Sequence, residues 1–202
     1  TKASDLAKPN VFKTIRSQHE LNKLFSTCNR EVSTLVIHST GHNRDAAFVG
    51  AAEINQTYVS KGLKQLPYHF IIKRDGKLQT GAPIHIETPH TLSEFRPLSI
   101  GLGIVSGSVP EVGEPTDLTK LQHQKMMIFI HSFYQVFGAG ADIFGQRDLD
   151  ADGESHSPGF EVSDILEKMG KENTCVPLVD KKFLTGVEII DRAIAEYEGT
   201  RE

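Results

Sequence analysis

Two stretches of this 202-residue chain carry side chains able to move protons or hold ions. The first is Pro67–Gly81, where Tyr68 and His69 stand ahead of the apolar run Phe70-Ile71-Ile72. A phenol and an imidazole both donate and accept protons, so the pair makes this stretch a candidate seat for acid–base chemistry. The second is Asp148-Leu149-Asp150-Ala151-Asp152-Gly153, a D-x-D-x-D-G pattern. Oxygen donors at alternate positions and a glycine for the turn suit a hard cation, so Asp148, Asp150 and Asp152 form a possible calcium loop. The closing glutamate is missing, because Gly159 stands at position twelve, and the competing reading is a solvated acidic turn. His38 ends a β-rich run, His42 follows it in a loop, and His156 lies beside Ser157 in a polar loop.

These residues need elements to position them. Asp75-Gly76 between two apolar runs predicts a hairpin: a strand over Tyr68–Arg74, a two-residue turn with positive φ at both central positions, and a return from Lys77. Val32–His38 and Leu98–Val105 predict two more strands, the latter with glycines at alternate positions where something can approach the backbone. Ser17 with Glu20 predicts a capped helix to about Cys28. Asp45 to about Lys61 reads as a helix closed by Gly62. The longest helix is expected over Asp117–Phe137, with Leu121, Met127, Ile128, Ile130, His131, Tyr134 and Val136 on its apolar face and His131 packed between helices. A short strand at Ala141–Phe144, a helix from Ser163 to Met169 and a C-terminal helix carrying Val187, Ile190, Ile194 and Tyr197 complete the series. Residues 82–97, with Pro83, Pro89 and Pro97, form an irregular connection, and residues 1–16 a polar arm on the surface. The fold class is α/β: a central mixed β-sheet flanked by α-helices.

The totals set limits. The chain is long enough for one substantial core, and its net charge of −4 with no basic patch argues against a nucleic-acid partner. No apolar run is long enough to span a membrane. Cys28 and Cys175 lie in no metal-spaced pair and read as free thiols.

With these elements placed, the residues resemble a known family. Tyr68-His69-Phe70-Ile71-Ile72-Lys73-Arg74-Asp75-Gly76 resembles the central hairpin of the zinc-dependent N-acetylmuramoyl-L-alanine amidases of the phage-lysozyme type, a superfamily that includes the peptidoglycan recognition proteins. Val36-Ile37-His38 resembles the strand that ends in the first zinc ligand. Ser99-Ile100-Gly101 resembles its "S-I-G" strand, and His90 falls where many members place a histidine near the substrate. Gly145-Gln146-Arg147-Asp148-Leu149 with Ser157-Pro158-Gly159 resembles its "G-H-R-D-L … P-G" loop. The resemblance implies an amidase-like domain over 30–165, an N-terminal arm and short helix over 1–29, and a C-terminal helical extension over 166–202. It also implies metal-assisted hydrolysis of the lactyl amide of peptidoglycan, with Tyr68 assisting.

Against that pattern, Gln146 replaces the second ligand histidine and Ser157 the third ligand, and the assisting lysine is missing. An amide oxygen and a hydroxyl are poor zinc donors beside imidazole and thiolate. The expectation is that zinc, and amidase activity with it, is lost. His38, Tyr68, His90, Gln146 and Ser157 then line a groove for peptidoglycan or muropeptide. The alternative is an active amidase with a metal site rebuilt from His38 and His156 with Asp148 or His42. A third reading is a structural component of a phage particle or bacterial envelope, whose terminal extensions meet other virion proteins.

Overall fold

The computed structural model describes residues 11–42, 46–107, 117–150 and 156–174. A six-stranded mixed sheet runs through them in the order β1-β4-β3-β5-β2-β6. The strands are β1 Thr14–Ile15, β2 Thr34–Ser39, β3 Phe70–Ile72, β4 Leu78–Thr80, β5 Ser99–Ile104 and β6 Asp142–Gly145. The helices are α1 Gln18–Ser26, α2 Ala51–Ser60, α3 Lys120–Phe137, α4 Gln146–Leu149 and α5 Val162–Lys168. β3, β5, β2 and β6 are parallel, whereas β4 and β1 add on antiparallel.

Both sheet faces are covered, which is why β2 and β5 are buried along their whole length. On the first face Leu35, Ile37, Phe70, Ile72, Ile100, Leu102 and Ile104 pack on Leu21 and Phe25 of α1, on Met126, Phe129, Ile130 and Phe133 of α3, and on α5. Phe25 meets Phe70, Phe129 and Phe133 edge-to-face, with centroids 5.3–6.1 Å apart. The second face holds two smaller clusters. One joins Tyr68, Ile71 and Val105 to Ile54 of α2; the other joins Val36 and Phe144 to Leu149 of α4.

Several local expectations change. The hairpin loop spans five residues: Lys73 N–H donates to Lys77 O and Gly76 N–H to Lys73 O, and Gly76 alone has positive φ, at 79°. This is a type I turn closed by a glycine bulge, because Asp75 keeps negative φ and its Oδ1 accepts from Lys77 N–H. Residues 14–15 of the expected arm are a strand on β4, with Ile15 buried. On α3, the buried stripe is Met126, Phe129, Ile130 and Phe133 at i, i+3, i+4, i+7. Leu121 and Ile128 lie off it and are 55% and 41% exposed, and His131 is exposed rather than packed. The expected C-terminal helix, Cys175 and Asp152 fall on residues outside those described. Among the described residues, no helix is long and apolar enough to cross a membrane.

Candidate functional site

The second sheet face carries the site. His38 sits near the C-terminal end of β2, opposite Gly103 of β5, which in turn stands opposite Ile71 of β3. The neighbouring row is Val36 beside Gly101. Two glycines in mid-strand clear a floor over which aromatic rings lie. A Cβ on Gly101 would sit 2.7 Å from the His90 ring, and one on Gly103 would sit 3.0 Å from Tyr68. The open backbone on β5 is therefore filled by the protein's own His90 and Tyr68.

A continuous hydrogen-bonded chain crosses this floor. His38 Nδ1 lies 2.8 Å from Gln146 Oε1, His38 Nε2 lies 3.0 Å from His90 Nδ1, and His90 Nε2 lies 3.0 Å from Ser99 Oγ. One set of tautomers satisfies every link: His38 Nδ1–H donates to Gln146, His90 Nδ1–H donates to His38 Nε2, and the Ser99 hydroxyl donates to His90 Nε2. Both rings are then neutral. Burial pushes the His38 imidazole down to about 4, against the opposing pull of the Gln146 oxygen. Burial also drives His90 well below the usual range, reinforced by His38, His69, Arg30 and Arg96 around it. Ser99 is fully buried, so its hydroxyl anchors His90 and is closed to substrate.

The remaining expected residues close around this chain. Ser157 Oγ accepts from Ser39 N–H at 2.8 Å, which places it beside the backbone that carries His38. Arg147 N–H donates to Ser157 O at 2.8 Å, tying α4 to the same loop. The Tyr68 ring lies 5.3 Å from His38, and its hydroxyl is 3.3 Å from that of Tyr58 on α2. Burial, with Tyr58 beside it, raises the Tyr68 phenol well above its usual range. Pro89, His90, Thr91, Leu92, Gln146, Leu149 and Asp150 line an adjoining cavity of about 210 Å³.

Other candidates stand apart. His156 is exposed, and Asp148 turns back to accept from Gly145 N–H at 2.8 Å. His38, His156 and Asp148 are not brought together: among the described residues, no three His, Cys, Asp or Glu side chains converge as a metal group. Asp148 thus serves the first turn of α4, a role that a short acidic pattern does not reveal. His42 Nδ1 bonds Thr40 Oγ1. His69 accepts from Gly101 N–H at Nδ1, so its Nε2 carries the proton and donates to Ile86 O at 2.8 Å. The Arg30 guanidinium 3.4 Å from that Nε2 is consequently a donor facing a donor, and binds elsewhere: to the carbonyls of Ile84, Pro97 and Ser99.

Arg30 and Ser99 are the positioning residues that sequence reading missed. Arg30 clamps the ends of the proline-rich connection that carries His90, and Ser99 fixes the His90 ring. Arg30 acts across more than fifty residues, with no local pattern to mark it, and Ser99, nine residues beyond His90, was legible only as the start of a strand.

A zinc ion of the family kind needs two imidazoles and a thiolate or carboxylate. Here one imidazole faces an amide oxygen at hydrogen-bond distance, and the third position is a hydroxyl bonded to the backbone. The donor set does not fit the ion.

No protein-family model matches the chain. It is 27% identical over 146 residues to the endolysin of Klebsiella phage KP32, a match spanning 72% of this chain and 93% of that protein. Its structure is similar to that of the endolysin N-acetylmuramoyl-L-alanine amidase LysCS from Clostridium intestinale, at TM-score 0.58 and 18% identity over 71% of this chain and 87% of the other. It is also similar to a human peptidoglycan recognition protein, PGRP-Iβ C, solved in complex with a glycosamyl muramyl pentapeptide. That match has TM-score 0.53 and 15% identity over 69% of this chain and 86% of the other. The fold is that of the N-acetylmuramoyl-L-alanine amidases and peptidoglycan recognition proteins. Within it, this chain is similar in sequence to a phage endolysin.

Proposed function

We propose that this chain is a peptidoglycan-associated protein of the amidase fold that holds muropeptide over the His38–His90 floor without cleaving it. The observation that carries this is the 2.8 Å bond between His38 Nδ1 and Gln146 Oε1. It joins the first zinc-ligand position to the second through a proton, in a site that also replaces the third ligand by a serine bonded to Ser39. The family's metal chemistry is lost by this reading, and Tyr68 has no metal-bound water to assist. What remains is a polar and apolar concavity whose lining includes Thr91, Leu92, Gln146, Leu149 and the carboxylate of Asp150, of a kind that suits the hydrogen-bonding amide and hydroxyl groups of a peptide or sugar edge. Support for a wall fragment as ligand comes from the similar human protein, whose structure holds a muramyl pentapeptide.

The test combines retention on insoluble peptidoglycan with zymography and elemental analysis. The expected result is retention, no clearing of the sacculi and no stoichiometric zinc. Released stem peptides with one zinc per chain would establish the rebuilt amidase instead. Absence of retention would remove the binding role.

A further inference from the structure

The first face of the sheet bears a second concavity, distant in the fold from the His38 floor. It is a groove of about 560 Å³ between β1, the hairpin loop and the N-terminal half of α3. Ile15, Leu121 and Ile128 give it an apolar base, while Arg16, Lys77 and Lys125 stand along it against one acidic residue, Asp75. Leu121, Lys125 and Ile128 fall at i, i+4 and i+7, a second stripe on α3 beside the one buried in the core. Two large aliphatic side chains more than 40% exposed on one helix, in a concavity with three cations, form a surface that lacks its cover.

We propose that the groove is the docking site of this chain's own segment 187–198. Val187, Ile190, Ile194 and Tyr197 recur at i, i+3, i+7 and i+10, the spacing of one helical face. Glu188, Asp191, Glu196 and Glu198 against Arg192 make the segment acidic, complementary to the basic groove. The chain can reach. Thr174, the last described residue, bonds Gly140 O just beyond the end of α3. Leu121 lies at the opposite end of that 18-residue helix, about 27 Å away along its axis. Residues 175–186, about 12 residues, extend to about 40 Å. A tether of that length holds the segment at an effective concentration of about a millimolar, so a weak contact suffices.

The inference is independent of what the His38 floor binds. Its test uses the full chain with Cys28→Ser and Cys175→Ser, in which Leu121→Cys is paired in turn with Ile190→Cys, Ile194→Cys and Tyr197→Cys. Phe48→Cys, an exposed position preceding α2 on the second face, replaces Leu121→Cys in the control pairs. At micromolar protein under mild oxidation, at least one groove pair is expected to give about tenfold more intramolecular disulfide than its control. Adding Lys77→Glu and Lys125→Glu is expected to lower that yield severalfold. Equal yields in groove and control pairs overturn the proposal. So does disulfide formed mainly between chains, with a concentration-dependent dimer in sedimentation, which would assign the groove to a second copy.

Discussion

At the scale of single residues, the site depends on side chains that are absent as much as on those present. Gly101 and Gly103 admit the His90 and Tyr68 rings, and no other side chain fits under them. Gly101→Ala is expected to push His90 off His38 and to cost about 1–3 kcal/mol in urea unfolding. Gly140→Ala, where a Cβ meets nothing, is the matched control and is expected to stay within about 0.5 kcal/mol of the parent. The exchange of ligands is testable in reverse. Gln146→His with Ser157→Cys restores the family's donor set around His38, and elemental analysis is expected to find one zinc per chain in the double variant. Failure of the double variant to take up zinc would show that the loop geometry, rather than the residue types, had changed. Much at this scale was legible: the resemblance to the amidase family singled out His38, Tyr68, Gln146 and Ser157, and the structure gathers them on one sheet face. Of the calcium pattern, Asp148 caps the turn of α4 and Asp152 lies outside the described residues; an Asp at the third position of a short helix and an Asp in an ion loop look alike in one dimension.

At the scale of elements, the proline-rich connection is the part that sequence could only describe as irregular. It is held by Arg30, whose guanidinium spans carbonyls at Ile84, Pro97 and Ser99 within 2.7–3.0 Å. Arg30→Ala leaves three inward carbonyls short of a donor and is expected to cost about 2–4 kcal/mol. Arg30→Lys is expected to recover little, since an ammonium cannot reach three divergent acceptors as a planar fork does. If the connection is what seats His90, Arg30→Ala also weakens retention on peptidoglycan more than its loss of stability accounts for. Strands and helices with clear period were legible, as for β2, β5 and α3. Their partners were not: hydrophobic type alone assigned Leu121 and Ile128 to the core, and only the direction of the Phe25 stack decides which stripe of α3 faces inward. The hairpin was found by Asp75-Gly76, but its loop class turned on one φ angle that the dipeptide leaves open.

At the scale of the molecule, the buried imidazoles make stability depend on pH. His38 and His69 are each held at about 4, against about 6.5 in an unfolded chain. Between those values the unfolded state binds more protons, so stability is complete above about 6.5 and falls as pH drops toward 4. Each ring is expected to remove about 2 kcal/mol between pH 7 and pH 5, read as a shift in urea midpoint. His69→Gln should remove its own share of about 2 kcal/mol and leave the parts that His38 and His90 contribute. A profile that is level over this range would mean that the rings stay solvated or charged in the folded protein.

The sheet has two edges, and they are finished differently. β1 is only two residues long, so little backbone is left unpaired there. At the other edge Asn173 offers its side-chain amide to β6: Oδ1 accepts from Ile143 N–H at 2.7 Å and Nδ2–H donates to Ile143 O at 2.8 Å. One carboxamide counterfeits the next strand, presenting a donor and an acceptor as a peptide unit would. Asn173→Ala is expected to cost about 1–3 kcal/mol and to make the protein associate at high concentration in light scattering. Asn173→Asp keeps the acceptor but sets a charge against Ile143 O, and should do no better. A seventh strand from another chain would have to evict that amide first, so the sheet is terminated by its own sequence and crowding on a surface need not turn it into a fibre.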